Sequence, residues 1–105
     1  MQEILDKVTF LISSYEGGEY MTKERLVSAQ RELSSLNYHM TVVHLDYRTQ
    51  FNGIIHNRPE GSSVASAKSK AEHDIPEVDF TRKIMDAIEK VLISMSIEIK
   101  IMNNE

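Results

Sequence analysis

Two separate runs of apolar residues, spaced alternately three and four positions apart, constrain the fold of this chain more than any other feature. The first run comprises Leu26, Ala29, Leu33, Leu36, Met40, Val43 and Tyr47. The second comprises Met85, Ile88, Leu92, Met95, Ile99 and Met102. This spacing places every member of a run on one face of an α-helix. Two such faces joined by a polar connection predict a long antiparallel helical hairpin with a coiled-coil-like seam.

Turn and capping signals delimit the helices of the first half of the chain. A short N-terminal helix is predicted over residues 2–16, because the glycine pair that begins at Gly17 suits the end of a helix. Thr22 is a good N-cap for a long second helix over residues 22–57. Pro59 ends that helix, since the residue before a proline avoids the helical conformation.

The second arm of the hairpin is predicted as two helices with a kink near Pro76. A thin apolar stripe predicts a helix over residues 63–73. The second of the two apolar runs, which we call heptad ladders, predicts another over residues 75–102. Asp74 and Glu77 have the spacing of a capping box, and Pro76 is tolerated in a first helical turn. The expected fold class is therefore all-α, with residues 1–105 forming one helical domain.

Two stretches of the chain also carry strand signals. Residues 43–51 and 93–101 alternate apolar and polar side chains, and Asn52-Gly53 is a strong hairpin turn. Helix is the preferred prediction for both stretches, because each heptad ladder passes through without a change of phase.

The last predicted helix has a second apolar stripe, formed by Ile93, Ile97 and Ile101 at intervals of four residues. We call these three residues the isoleucine ridge. It lies nearly opposite the ladder, and a helix that is apolar on two sides needs partners on both. The ridge therefore predicts a homo-oligomer with these residues as its interface. In the alternative, the first helix folds onto the ridge and closes a monomeric three-helix core.

Composition excludes several classes of protein. The chain has 105 residues and no cysteine, which rules out disulfides and thiolate chemistry. Its longest apolar runs have three residues, so no membrane span is expected, and the cytoplasm is the expected location. The net charge of −4 is untypical of proteins that coat nucleic acid through phosphate contacts.

No catalytic or metal-binding pattern stands out. The four histidines, which are expected on helix surfaces, form no pair at the spacing of metal ligands: His39, His44, His56 and His73. No phosphate-binding glycine loop and no nucleophile elbow is present. We therefore predict a protein that is not an enzyme and needs no cofactor.

The best polar candidate for a binding site is the connection between the two arms. It concentrates cations and serines, which together suit a phosphate group or an anionic partner. The candidate residues are Arg58, Lys68 and Lys70, with Arg48 before them and Arg82 and Lys83 after them. A solvated flexible loop is the alternative interpretation.

Five short segments in the second half of the chain carry a resemblance to phage proteins. They are Leu45-Asp46-Tyr47, Gly61–Lys68, Ala71-Glu72, Pro76–Asp79 and Ile99–Met102. In layout they resemble small helical proteins from the replication and recombination regions of tailed phages, and in particular the recombination mediator family. The resemblance implies a ring-forming helical protein that helps to load a recombinase on single-stranded DNA.

These observations together favour a binding protein over an enzyme. We expect a homo-oligomeric helical interaction protein, an accessory protein of a phage or mobile element. One alternative is a recombination mediator that binds single-stranded DNA and a recombinase. Another is an inhibitor of host defence that sequesters a protein or a small anionic signal.

Overall fold

The computed structural model describes residues 1–18 and 21–104, and it confirms the all-α fold class. Its helices are α1 (Gln2–Glu16), α2 (Lys23–His56), α3 (Val64–Asp74) and α4 (Glu77–Asn103). Residues 43–51 and 93–101 are helical throughout, and no strand occurs in the described part of the chain. Helix was therefore the correct choice for both stretches.

Helices α2 and α4 form the predicted antiparallel hairpin, and two hydrogen bonds fix its register. Gln30 Nε2 donates to Ser96 Oγ at 2.7 Å, and His44 Nδ1 lies 2.7 Å from Thr81 Oγ1. The two positions are fourteen residues apart on α2 and fifteen apart on α4, so both bonds belong to one alignment. Thr22 caps α2 as predicted, because its Oγ1 accepts the Arg25 backbone N–H at 3.2 Å.

One contiguous apolar cluster fills the seam between α2 and α4 at the end where α1 joins them. Its buried members are Val8 and Leu11 from α1, Leu26, Ala29, Leu33 and Leu36 from α2, and Ile88, Val91 and Met95 from α4. Burying a leucine or isoleucine stabilises a fold by about 1.5–3 kcal/mol. Helices α1, α2 and α4 therefore build the main apolar cluster of the described residues together.

Helix α1 is held on α4 by a tyrosine as well as by apolar packing. The Tyr15 hydroxyl donates to Glu98 Oε2 at 2.8 Å and lies 2.9 Å from Ser94 Oγ. Burial raises the pKa of Tyr15, and the Glu98 carboxylate adds to the rise while the Ser94 hydrogen bond opposes it. These bonds place α1 along the flank of α4 that carries Ser94 and Glu98.

The second arm breaks between α3 and α4, close to the predicted kink. Ile75 leaves the helical conformation with φ −126° and ψ 67°, and Pro76 is the N-cap of α4. The predicted capping box is wrong: Asp74 is the last residue of α3, and no side chain caps α4. Because proline disfavours a helical conformation in the residue before it, Ile75 interrupts the arm and α4 restarts two residues later.

The molecule is a rod rather than a sphere. Its principal extents are 64 × 26 × 20 Å and its radius of gyration is 18.2 Å. A compact chain of this length would have a radius of gyration near ~13 Å.

No helix in residues 1–18 or 21–104 is both long enough and apolar enough to traverse a lipid bilayer.

Two glycines give a matched test of the backbone conformation. A Cβ added at Gly53 or at Gly61 meets no atom within 4 Å, but Gly61 has φ +87° whereas Gly53 lies inside α2. We expect Gly53→Ala to raise the free energy of unfolding by about 1 kcal/mol, since alanine favours a helix over glycine by that amount. Gly61→Ala should lower it by about 1 kcal/mol, because an L side chain is strained at positive φ. Urea denaturation followed by circular dichroism measures both values.

Candidate functional site

The structure distributes the six candidate cations over several surfaces. Arg58 and Lys70 line a groove between the end of α2 and α3, which we call the terminal groove. Lys68 and Arg82 line a second groove on the other side of α3. Lys83 lies beside α1, and Arg48 lines neither of the grooves that flank α3.

The terminal groove is an open cleft of about 620 Å³ at the end of the rod away from α1. Its apolar surface comes from Ile54, Pro59 and Ala67. Its polar side chains are Gln50, Asn57, Arg58, Ser62, Ser66 and Lys70. Its lining among the described residues includes neither aspartate nor glutamate, and its two charged side chains, Arg58 and Lys70, are both positive.

Local hydrogen bonds hold the connection that closes the terminal groove. The Ser62 backbone N–H and hydroxyl both donate to the Pro59 carbonyl, at 3.1 and 2.6 Å. The Ser63 hydroxyl accepts the Ser66 N–H at 3.1 Å and thereby caps α3. Arg58 donates from its guanidinium to the Ile55 carbonyl at 3.0 Å, which anchors the side chain at the rim of the groove. The connection is therefore an ordered wall of the groove.

The second groove has a different electrostatic character. It measures about 500 Å³, and its lining includes Glu72 and Asp79 together with Lys68 and Arg82. Cations and carboxylates occur there in equal number, so their fields partly cancel. An anion is consequently favoured less in this groove than in the terminal groove.

Lys83 is engaged by a neighbouring carboxylate. Its Nζ lies 2.9 Å from Asp79 Oδ2, one helical turn earlier on α4. Hydrogen bonding and charge attraction from Lys83 lower the pKa of the exposed Asp79 carboxyl, and the charge of Arg82 lowers it further. The structure thus places Lys83 apart from the terminal groove and in a surface ion pair.

His44 contradicts the prediction that all four histidines are on the surface. It is buried beside Thr81, whose hydroxyl also lies 2.7 Å from the Glu77 carbonyl and donates to it. Since that hydroxyl proton is already used, His44 Nδ1 donates to Thr81 Oγ1. The ladder placed Val43 in the seam, but Val43 is only half-buried and His44 takes the fully buried position. Apolar patterning misses a buried histidine of this kind, because its partner comes from the other arm.

The isoleucine ridge is exposed along α4. Ile93, Ile97 and Ile101 are 62%, 57% and 57% exposed. Ile97 follows the buried Ile88 by nine residues, or two and a half helical turns, so the ridge faces away from the seam. The alternative in which the first helix covers the ridge is wrong, because α1 packs on the flank of Ser94 and Glu98.

Sequence reasoning missed the polar amides of the terminal groove. Gln50, Gly53 and Ile54 follow the helical spacing of three and four on one face of α2, and Asn57, the C-cap of that helix, continues the spacing. That spacing was a usable signal, but it marks a groove only once α3 is known to pack beside it.

Comparisons of the chain with protein families, with curated proteins and with solved structures gave no match. Within the described ranges, no three histidine, aspartate or glutamate side chains converge in an arrangement that would hold a metal ion. The function is therefore inferred from the geometry of the grooves and of the isoleucine ridge.

The buried His44 predicts a pH-dependent stability. Burial lowers its pKa, and the charges of Arg82 and Arg48 lower it further, while the Val78 carbonyl opposes the shift. The unfolded chain therefore binds a proton near pH 6.5 that the folded chain does not. The free energy of unfolding should be highest above this pH and fall as the pH drops below it.

Urea denaturation at a series of pH values between 7.5 and about 5 measures this slope. His44→Gln, which keeps a hydrogen-bonding side chain without the titration, should flatten it. His39→Gln replaces an exposed histidine on the same helix and should retain the wild-type slope. If the free energy of unfolding depended on pH equally in the wild type and in His44→Gln, His44 would not be the source of the pH dependence.

Proposed function

We propose that the protein is a non-enzymatic, homo-oligomeric binding protein whose subunits associate through the isoleucine ridge. The observation that carries the proposal is the exposure of three isoleucines on the outer face of α4, while α1 covers another flank. A buried isoleucine contributes about 1.5–3 kcal/mol, so contact between two ridges supplies a substantial driving force.

Charges beside the ridge support pairing between two copies of α4. Glu89 and Lys100 are both exposed and stand eleven residues apart, which is close to three helical turns. They therefore occupy the same flank of the helix, with Glu89 one turn before the ridge and Lys100 beside its last isoleucine. In a two-fold antiparallel pair of α4 helices whose axis passes between residues 94 and 95, Glu89 of one copy lies near Lys100 of the other, and Ile93 of one copy lies near Ile97 of the other. Such an interface uses the same surface on both subunits.

The biological setting that we propose is that of a phage or mobile-element accessory protein in the cytoplasm of a bacterial host. The cations of the terminal groove favour an anionic ligand. Single-stranded DNA is that ligand if the protein is a recombination mediator, and salt-sensitive binding of oligo-dT at submicromolar protein tests this alternative. A small anionic signal or an acidic protein surface is the ligand if the protein inhibits host defence.

Replacing a ridge residue tests the assembly. We expect Ile97→Glu to convert an oligomer into a monomer, because it places a charge in the centre of the apolar contact. Multi-angle light scattering at micromolar protein concentration measures the mass, and circular dichroism checks that helicity is retained. Val42→Glu is the matched control: Val42 is 51% exposed on α2, away from the ridge, and its replacement should leave the mass unchanged.

A wild-type mass equal to one chain would overturn the proposal. An oligomer that survives Ile97→Glu but dissociates with Val42→Glu would overturn the assigned interface and place the contact on α2 instead.

A further inference from the structure

We infer that the terminal groove is a binding site for a small organic phosphate, with Arg58 and Lys70 holding the phosphate against an apolar floor. The groove combines two cations that form no ion pair within 4 Å among the described residues, free hydrogen-bonding side chains and an apolar surface in one cleft. This inference does not depend on the proposed assembly, since the groove and the isoleucine ridge are separate surfaces.

The charge of the groove is the first argument. Neither Arg58 nor Lys70 pairs with a carboxylate of residues 1–18 or 21–104, where the ion pairs are Lys7–Glu3 and Lys83–Asp79. The chain has a net charge of −4, and the groove that contains Lys68 is lined by two carboxylates, whereas the terminal groove is lined by none of the described carboxylates. The charged side chains that line the terminal groove are thus both cations, on a protein that is acidic as a whole.

The hydrogen-bonding groups are the second argument. A phosphate has oxygens that accept several hydrogen bonds at once, and charged donors make the strongest of these. Lys70 offers three N–H donors, and Arg58 keeps donors beyond the one used on Ile55. The Asn57 amide and the Ser66 hydroxyl have no protein partner among the described residues, so both remain available to a ligand.

The size and floor of the groove are the third argument. Its volume of about 620 Å³ falls within the ~300–1,000 Å³ that is typical of small-molecule sites. Ile54, Pro59 and Ala67 supply apolar surface that an inorganic ion does not use. An organic body attached to the phosphate, such as a flat ring, fills that space. The chemical class is therefore a phosphorylated organic molecule.

The groove also lies far from the ridge. The Gln30–Ser96 bond places the middle of the ridge level with residue 30 of α2, whereas Ile54 lines the groove. The intervening 24 residues of helix span about 36 Å at ~1.5 Å per residue. Binding at the groove and association at the ridge can therefore be measured separately, and the failure of one leaves the other intact.

Titration of the ¹⁵N-labelled 105-residue chain with adenosine monophosphate tests the site by nuclear magnetic resonance. We expect saturable shifts confined to amides around Gly53, Asn57, Ser62 and Ser66, with a dissociation constant of roughly 1 mM or below. Adenosine lacks the anion and inorganic phosphate lacks the apolar body, so each should bind at least about tenfold more weakly.

Two lysines on the same helix give a matched pair of variants. Lys70→Gln removes a charge from the terminal groove and should weaken binding of adenosine monophosphate about tenfold. Lys68→Gln removes the same charge two residues earlier, in the second groove beside Glu72, and should change binding less than about twofold. A difference between these variants cannot come from net charge.

A third variant fills the groove without removing a charge. Gly53→Leu projects a side chain from a position where an added Cβ meets no atom within 4 Å. Leucine also favours a helix over glycine, so the fold should be stabilised while the binding of adenosine monophosphate is lost.

Three results would overturn the inference. The first is the absence of saturable shifts at the groove amides with 10 mM adenosine monophosphate, about ten times the weakest expected dissociation constant. The second is an equal loss of binding in Lys68→Gln and Lys70→Gln, which would indicate diffuse attraction. The third is equal binding of adenosine or of inorganic phosphate, which would remove either the anion or the organic body from the assigned ligand.

Discussion

The antiparallel seam between α2 and α4 is the constraint on which the other parts of the structure depend. Its apolar contacts stabilise the rod, while Gln30–Ser96 and His44–Thr81 each match a polar group on one arm to a polar group on the other. A register shift would leave His44 buried without its partner, at a cost of about 1–3 kcal/mol. With the register set, α1 has a single continuous apolar surface to cover, and α3 is brought against the far end of α2.

The fold was predictable wherever a local rule agreed with the long-range packing. The ladders, the Thr22 cap and the stop at Pro59 each depend on residues close together in the chain, and the structure confirms the helices that they predict. The sequence predictions were wrong where contacts between distant parts of the chain determine the role of a residue. Asp74 has the chemistry of a cap, yet it completes α3 and leaves α4 uncapped. His44 was expected on the surface, but it is buried because Thr81 on the opposite arm provides a hydrogen-bonding partner.

The candidate site was only partly accessible from the sequence. The clustering of Arg58, Lys68 and Lys70 in one connection is a local fact, and helical geometry already places Lys68 and Lys70 about 200° apart on α3. The sequence pattern could not show which side chains from other helices lie beside each lysine. Asp79 reaches the second groove from α4, whereas Asn57 and Gln50 reach the terminal groove from α2. The difference in electrostatic character between the two grooves thus arises from packing.

The break at Ile75 has a consequence for the wall of the terminal groove. Helix α3 has eleven residues, and its buried side chains, Ala67 and Ala71, lie outside the main apolar cluster. So short a helix is marginal by itself, and the break uncouples its hydrogen-bond ladder from that of α4. We therefore expect residues 64–74 to unfold locally as a separate unit, with a lower opening free energy than the seam. Amide protons of α3 should consequently exchange with solvent sooner than those of α2 and α4, and a ligand that bridges α2 and α3 would slow them selectively.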